Sequence, residues 1–337
     1  MCQTKRTARV DLSNRQPETS VTCRDATHNE SITLTLLGGD ARQFAVSASL
    51  AAAGYRVNLM GLGEAEDGHL TSQGPLPSME EGIRVYHRLD RALEGCAGII
   101  LPYPATKDGQ TVFCPLDTQH TILLSDIEAF VGKHPSVAVF GGRLPKVMTE
   151  TLSRQGCHVV DYEQDEAFLI RNARLTAEGA VMMAMELTDT ALLNAPVAVI
   201  GYGRIGRLLA HLLSSLGAEV TVFARRDESL AEAEALGYQT AHTSDMGLLT
   251  TGYRVIFNTV PVILVGKEIL AKLPCNTLVV ELASAPGGLD PEGITEATGR
   301  CGLQVVRAPS LPGRYAPKDA GLAIADCILS ALGEVKV

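Results

Sequence analysis

No stretch of this chain approaches the roughly 18 consecutive apolar residues that a membrane-spanning helix requires. Its start, "MCQTKRTARVDLSNRQPETSVTCRDATHNE", has no apolar segment of the kind a secretion signal carries. The eight cysteines (Cys2, Cys23, Cys96, Cys114, Cys157, Cys275, Cys301 and Cys327) include no C-x-x-C pair. Several of them sit in apolar stretches, where a free thiol behaves as a small hydrophobe. These absences point to a reducing, cytoplasmic setting. Positive charge is not in excess either, because 29 Lys and Arg against 38 Asp and Glu give a formal net charge of −9. Such a protein repels nucleic acid and anionic membrane surfaces, so neither is expected as a partner. An anionic small molecule remains compatible wherever cations converge locally. No Cys, His and Asp grouping has metal-ligand spacing, so no metal is expected.

What is present reads as two bodies. At 337 residues the chain is long for one core and comfortable for two, and 46% hydrophobic with 20% charged residues describes a globular protein. Residues 1–30 are polar and of mixed charge, and are expected to form a disordered extension. From Ser31 onward strand alternates with helix: "SITLTLLGG", "DARQFAVSASLAAAG" and "YRVNLMGLG" make a βαβ unit. The runs "CAGIILPYPAT", "SVAVFGG" and "GCHVVDY" follow, with helical stretches such as "LPKVMTETLSRQG" between them, so residues 31–174 are expected to be one α/β domain. Residues 175–193, "LTAEGAVMMAMELTDTALL", read as a single helix with little polar face, buried between two bodies. A second alternation fills 194–312, and 313–337 are expected to be a loop and a helix that packs back on the body. The expected fold class is α/β, with two Rossmann-like doubly wound parallel-sheet domains and an interdomain cleft.

"VAVIGYGRIGRLLAHLL" carries the most specific chemistry. Strand, glycine turn and amphipathic helix occur in the order in which a backbone can lie against a pyrophosphate. Gly201 permits the tight turn, Gly203 lets the backbone approach the anion, and Gly206 allows the helix to pack closely on the strand; Arg204 and Ile205 fill the two places between. The following strand, "AEVTVFARRDES", ends in Ala224, Arg225 and Arg226 with no acid at its tip. Two guanidiniums there match a ribose 2′-phosphate, which favours NADP(H) over NAD(H). Asp227 is the counterargument, an acid close behind that tip, although it sits late enough to serve as the N-cap of the helix "ESLAEAEALG". Asn258, Thr259, Val260 and Pro261 follow the strand "YRVIF", and Ser284 follows the next one within "ELASAPGG". These strand ends suit contacts to the nicotinamide ribose, or are plain strand-ending turns.

Several motifs carry a wider resemblance: "GGDARQ" (38–43), "ILPYPAT" (100–106), "LTAEGAVMMA" (175–184), "GYGRIG" (201–206), "NTVP" (258–261), "ELASAPGG" (281–288) and "LPGRYAPKDAG" (311–321). In this order they resemble the dipicolinate synthase A-subunit family of spore-forming bacteria, over nearly everything from Ser31 onward. The chain departs from that pattern at Ala285, where the family carries a basic residue, and at Arg314 and Tyr315, where it carries small or apolar ones. The resemblance implies an enzyme that oxidises a dihydrodipicolinate to pyridine-2,6-dicarboxylate with NADP+ as hydride acceptor. It also implies partnership with a second, flavoprotein-like dipicolinate synthase subunit and a role in the mother cell of a sporulating bacterium; an oligomer of identical chains is expected as well. The fold it implies is that of alanine and D-2-hydroxyacid dehydrogenases, with a catalytic domain and a nucleotide domain facing each other. Two other readings stay open: a related dehydrogenase of amino or keto acids, and an NADP-binding regulatory subunit.

Aromatising a dihydropyridine removes a hydride and a proton, and the substrate's two carboxylates must be clamped while this happens. Arg42 in the first turn is the leading clamp, or else a partner of Asp40 within the turn. Thr106 and Lys107 end another strand of the same half and offer a hydroxyl and an ammonium. Lys318, before the closing helix, acts on substrate or pairs with Asp319, and Arg143 in "GGRLPK" is the weakest cation. The aromaticity gained supplies driving force, so positioning counts for more than acid–base machinery; if a proton acceptor is needed at all, Glu178 is the expected one, or else a helix N-terminal charge. None of the eight histidines stands in a clear catalytic pattern, and none lies beyond His242. That absence counts against a D-2-hydroxyacid dehydrogenase, which takes an acid–base histidine from the later part of its nucleotide domain.

Overall fold

Strands covered on both faces must be largely apolar, and "AVFG" and "PVAVI" are, while in "TLTLL" the buried Thr35 donates its hydroxyl to the Ala92 carbonyl (2.7 Å). The computed structural model describes residues 32–62, 82–117 and 119–334. The polar start, residues 1–30, and residues 335–337 lie outside the described residues. The first half comprises β1 (Thr33–Leu37), α1 (Arg42–Ala52), β2 (Arg56–Met60), β3 (Ile83–Val85), α2 (Leu89–Ala92), β4 (Gly98–Ile100), α3 (Leu124–Lys133), β5 (Ala138–Gly141), α4 (Lys146–Arg154) and β6 (Val159–Asp161). Its strands pair in parallel in the order β3-β2-β1-β4-β5-β6.

After α5 (Glu166–Leu187) the pattern starts again with β7 (Pro196–Ile200), α6 (Arg204–Ser215), β8 (Glu219–Ala224), α7 (Asp227–Ala235) and β9 (Gln239–His242). It continues through β10 (Val255–Asn258), α8 (Lys267–Leu270), β11 (Leu278–Glu281), α9 (Pro291–Cys301) and β12 (Gln304–Arg307), and closes with α10 (Leu311–Tyr315) and α11 (Pro317–Glu334). The second sheet is also parallel, in the order β9-β8-β7-β10-β11-β12. Counted from its own first strand, each half therefore has one and the same topology.

Side chains alternate between two cores per sheet, as the period-2 pleat requires. Leu34, Leu36, Val57, Leu59 and Phe140 fill one face of the first sheet, and Leu37, Met60, Ile99 and Val139 the other. Val197, Val199, Val222 and Phe257 oppose Ala198, Ile200, Phe223 and Ile256 in the second.

One helix joins the halves. Its bounds differ from the expected 175–193 because Asp165 caps it earlier, with Oδ1 accepting from the amides of Ala167 (2.8 Å) and Phe168 (3.1 Å). Nor is it covered all round, since Met182 and Met185 are 46% and 58% exposed. Phe168 near its start is buried in the first half's core, whereas Ala177, Ala180, Met183 and Ala184 belong to the second's. Removing the Phe168 ring would cost about 3–5 kcal/mol of burial and cavity energy. From the other end of the chain, α11 returns to the first half, where Ala323, Ile324, Cys327 and Ile328 enter its core.

Candidate active site

In sheets of this order the loops after β1 and β4, and after β7 and β10, leave toward opposite faces. A crevice therefore opens at the carboxyl edge of each sheet, and open α/β folds place ligands there. The two crevices are built very differently.

In the second half the turn after β7 holds Gly201 in the left-handed region (φ 98°), and a Cβ there would collide with the Thr259 hydroxyl. A Cβ on Gly206 would strike the carbonyl oxygen of Gly201, so helix and turn touch directly. At Gly203 nothing lies within 4 Å of where a Cβ would be. The start of α6 is thus open, with its backbone amides and the positive end of its dipole available to an anion. Beside it lies a cavity of about 290 Å³, lined by Gly201, Tyr202, Gly203, Ala224, Arg225 and Arg226, with Ser229, Thr243 and Val260 also on its wall. Among the described residues no carboxylate lines it. An open glycine, a helix N-terminus and two guanidiniums fit a dinucleotide.

The other residues expected around the nucleotide have different surroundings. Asn258 is fully buried, and its amide donates to Glu281 Oε1 (2.7 Å) and to the Val260 carbonyl (2.9 Å). Glu281, itself buried, also accepts from the amides of Ala283 (3.1 Å) and Gly288 (2.9 Å), so N–H donors hold a carboxylate in place without a cation. The expected ribose contact from the Asn258 side chain is therefore corrected: this amide shapes the loops after β10 and β11 from within. Thr259 donates its hydroxyl to the Ile200 carbonyl (2.9 Å), Pro261 and Ser284 are exposed, and Ile205 packs against the core. Arg204 reaches Glu166 at the start of α5 through two bonds of 2.8 and 2.6 Å. Asp227 is not the N-cap expected of it. It is the first residue of α7, which Arg226 precedes without a side-chain cap, and there it favours the helix dipole.

In the first half the protein's own chain fills the crevice. Gly38 (φ 65°) and Gly39 (φ 105°) turn the backbone, and a Cβ on Gly38 would collide with Cys114 Sγ. Residues 105–117 and 119–123 fold back over the turn as a strap: Phe113 accepts from the Gly39 amide (2.7 Å) and donates to Ala105 (2.8 Å), and Val112 donates to Ile122 (2.9 Å). Arg42 is 4% exposed. It donates to Asp40 Oδ1 (2.7 Å) and Oδ2 (2.8 Å), and to the Tyr103 carbonyl. Gly313 lies against this pair, where a Cβ would be 2.9 Å from Asp40 Oδ2, and Gly321 backs onto the Arg42 carbonyl. The segments "GGDARQ", "LPG" and "APKDAG" thus form one packed unit.

Nε and Nη2 of Arg42 are spent on Asp40 and on the Tyr103 carbonyl, so of the two readings left open for this side chain the geometry favours the partner of Asp40, which braces the turn. Gln43 beside it is 1% exposed, and neither of its amide atoms has a partner among the described residues.

The strap carries a second, wide-open cavity of about 260 Å³, lined by Lys107, Thr111, Phe113, Cys114, Asp117 and His120 among others. Lys107 holds its ammonium 4.1 Å above the Phe113 ring. Thr106 has a building role: its hydroxyl donates to Asp108 (3.0 Å) and accepts from the Gly109 amide (3.0 Å). Bonds from the Thr111 hydroxyl and amide hold the Asp108 carboxyl far below the usual range. Burial pushes the Cys114 thiol up to about 11, so it is neutral at physiological pH. Asp117 and His120 went unnoticed in the sequence, where a D-x-x-H spacing inside a polar loop is the only signal.

Residues 33–163 match the model of the dipicolinate synthase A-subunit N-terminal domain. Residues 169–284 match that of the NAD-binding domain of D-isomer specific 2-hydroxyacid dehydrogenases. The dipicolinate synthase A-subunit of Bacillus subtilis (strain 168) is 28% identical over 305 residues, which are 90% of this chain and 96% of that one. The crystal structure of the dipicolinate synthase A-subunit from Bacillus halodurans superposes with a TM-score of 0.76 at 28% identity, over 90% of this chain and 99% of that one. The chain belongs to the dipicolinate synthase A-subunit family. Its second half is a dehydrogenase-type domain for a nicotinamide dinucleotide. A transhydrogenase from Sinorhizobium meliloti, 16% identical with a TM-score of 0.62, shares the fold.

Of the two groups expected to be catalytic in this dipicolinate synthase A-subunit family member, neither is among the residues that line the two cavities. Glu178 is in the middle of α5, not near its N-terminus, and accepts from Arg174 (2.9 Å) in an exposed i,i+4 pair. Lys318 is exposed in the first turn of α11 and forms no ion pair with Asp319 among the described residues. Arg143, whose φ of 55° is unusual for a side chain of its kind, bonds Glu163 (3.1 Å). The same Glu163 oxygen accepts from the Tyr103 hydroxyl (3.1 Å). Burial, and after it the Glu163 charge, pushes that hydroxyl up to about 12. No helix of the described residues is long and apolar enough to cross a membrane.

Proposed function

We propose that this chain is the oxidising subunit of a dipicolinate synthase, converting a dihydrodipicolinate to pyridine-2,6-dicarboxylate with NADP+ as hydride acceptor. One observation carries the reading. A single chain joins a half that matches a dipicolinate synthase component to a dehydrogenase-type nucleotide half whose cavity has no carboxylate among the described residues and bears Arg225 and Arg226. A ribose 2′-OH calls for an acid at the end of β8, and a 2′-phosphate calls for cations there. In this reading Gly201, Gly203, Arg204 and Gly206 hold the pyrophosphate, Arg225 and Arg226 the 2′-phosphate, and Val260, Pro261 and Ser284 border the nicotinamide end. When bound, the cofactor supplies hydride acceptance.

The substrate is placed in the strap cavity of the first half, with Lys107 as the cation for one carboxylate and Thr106 holding the loop that presents it. The second, flavoprotein-like component, an assembly of identical chains, and action in the mother cell of a sporulating bacterium belong to the same proposal. The test uses the purified chain with a freshly prepared dihydropyridine dicarboxylate. Pyridine dicarboxylate absorbance should rise together with NADPH, and with NAD+ it should rise at least tenfold more slowly. NADPH oxidation with pyruvate-like substrates and none of this product would assign the chain to amino or keto acid chemistry instead. No turnover unless the second component is added would leave the chain a regulatory, nucleotide-binding subunit.

A further inference from the structure

We propose that His120, oriented by Asp117, is the proton acceptor of the strap cavity, the part that the sequence assigned to Glu178. The inference rests on the reading that substrate occupies this cavity. The observation behind it is a carboxylate–imidazole pair built into the strap. Asp117, with its side chain 9% exposed, pairs with His120 Nδ1 at 2.9 Å and accepts from the amides of Gln119 (2.9 Å) and His120 (3.1 Å). Burial pushes the Asp117 carboxyl up, but the bonds from the His120 ring and from those two amides outweigh burial and hold it below the usual range. A carboxylate 2.9 Å from Nδ1 is an acceptor for the proton on that nitrogen, and this orientation leaves Nε2 as the ring's acceptor.

That nitrogen has no partner among the described residues, and the His120 side chain, 35% exposed, lies on the cavity wall. Few groups compete for its proton. Across the cavity are the Lys107 ammonium and the neutral Cys114 thiol, and the ring of His87 lies 6.0 Å away, centroid to centroid. The place in the fold agrees with the chemistry. The strap leaves β4 and docks on the turn after β1, and these are the two strands between which the order of the first sheet reverses. Glu178 has none of this, being exposed on α5 and paired with Arg174.

The step balances as follows. One C–H bond at a saturated ring carbon breaks, and its electron pair leaves with the hydrogen as hydride to the oxidised nicotinamide. A proton leaves the adjoining saturated C–H or ring N–H and forms an N–H bond at His120 Nε2. The electrons of that second bond enter the ring and complete its aromaticity. His120 then carries one positive charge, which Asp117 faces, and returns the proton to water.

The experiment compares the full chain with His120→Gln, Asp117→Asn and His120→Gly. Removing a general base costs about 10²–10⁴-fold. His120→Gln should lose at least a hundredfold in kcat while NADPH binding by fluorescence is unchanged, Asp117→Asn should lose less, and added imidazole should restore His120→Gly. The acid limb of the kcat/KM pH profile should vanish in His120→Gln. A readout free of turnover accompanies these: calorimetric titration with pyridine-2,6-dicarboxylate in two buffers of different ionisation enthalpy. Two carboxylates arriving beside the ring favour its charged form, so the wild type should take up part of a proton on binding and His120→Gln should take up none. Wild-type turnover retained in His120→Gln overturns the inference and leaves the substrate reading intact. Should that variant fail to fold, absence of proton uptake by the wild type overturns it as well. A wild type that makes no product with either cofactor removes the substrate reading and this inference together.

Discussion

The two turns "GGDARQ" and "GYGRIG" occupy the same place in sheets of the same order, yet one is closed and the other open. After β1, a Cβ on Gly38 would meet Cys114 from the strap, and the helix start is occupied by the buried Asp40–Arg42 pair with Gly313 against it. After β7, Gly203 faces empty space at the start of α6. Topology places a crevice at both edges, but the residue types decide whether the chain or a ligand fills it. Where an acid and a base sit two residues apart, the turn satisfies its own charges. Where the turn carries no acid of its own, its backbone amides are left to an anion from outside.

Breaking the closed turn should produce the largest effect. Asp40→Ala leaves the Arg42 guanidinium buried without its counter-charge, and should cost about 3–5 kcal/mol. The urea midpoint of the wild type against the variant reads this directly. A loss below about 1 kcal/mol would mean that the pair does not brace the turn. Next come two glycine substitutions that should behave as opposites. Gly38→Ala forces a side chain into the left-handed region and against Cys114, so it should destabilise by more than about 1 kcal/mol and leave nucleotide affinity alone. Gly203→Ala has an allowed backbone (φ −86°) and free space, so stability should stay within about 0.5 kcal/mol while dinucleotide affinity falls about tenfold. If Gly203→Ala lowers stability and spares affinity, the open turn is not the nucleotide site.

Arg225→Ala probes the same open turn more gently. Losing one charge-assisted bond to a 2′-phosphate, about 1.5–3 kcal/mol, should weaken NADP(H) ten- to hundredfold and NAD(H) hardly at all. Equal losses for both dinucleotides in a fluorescence titration would remove the preference for NADP.

How much of this the residues announce in advance differs between the two turns. The open turn was legible because every role is a backbone role: a glycine that must turn, one that must leave space and one that must touch, each at a fixed spacing. At the closed turn the sequence offered Arg42 as a cation and Asp40 as its possible partner, and only burial decides between a free clamp and a brace. Asn258 likewise looked like a ligand contact because its partner, Glu281, lies 23 positions away and meets it only when β10 and β11 pair in register. His120 and Asp117 were missed for the same reason, since the strap that gives them a cavity is a loop without periodicity. Among the strands, β3 and β9 escaped notice. Both are edge strands, and "IRV" and "QTAH" are too polar and short to stand out as apolar runs.

The smallest effect concerns a contact that ties the open turn to the start of α5. Arg204 at the start of α6 holds Glu166 at the start of α5, and both side chains are about half exposed. Such a pair contributes little to stability and is screened by salt. It does, however, occupy a guanidinium that stands beside the pyrophosphate position. Glu166→Gln should therefore free Arg204 and raise dinucleotide affinity about twofold at low ionic strength, with the difference vanishing as salt is added. A fall in affinity at every salt concentration would mean the reverse: the pair aims the start of α6, and even the open turn depends on bracing from the first half of the chain.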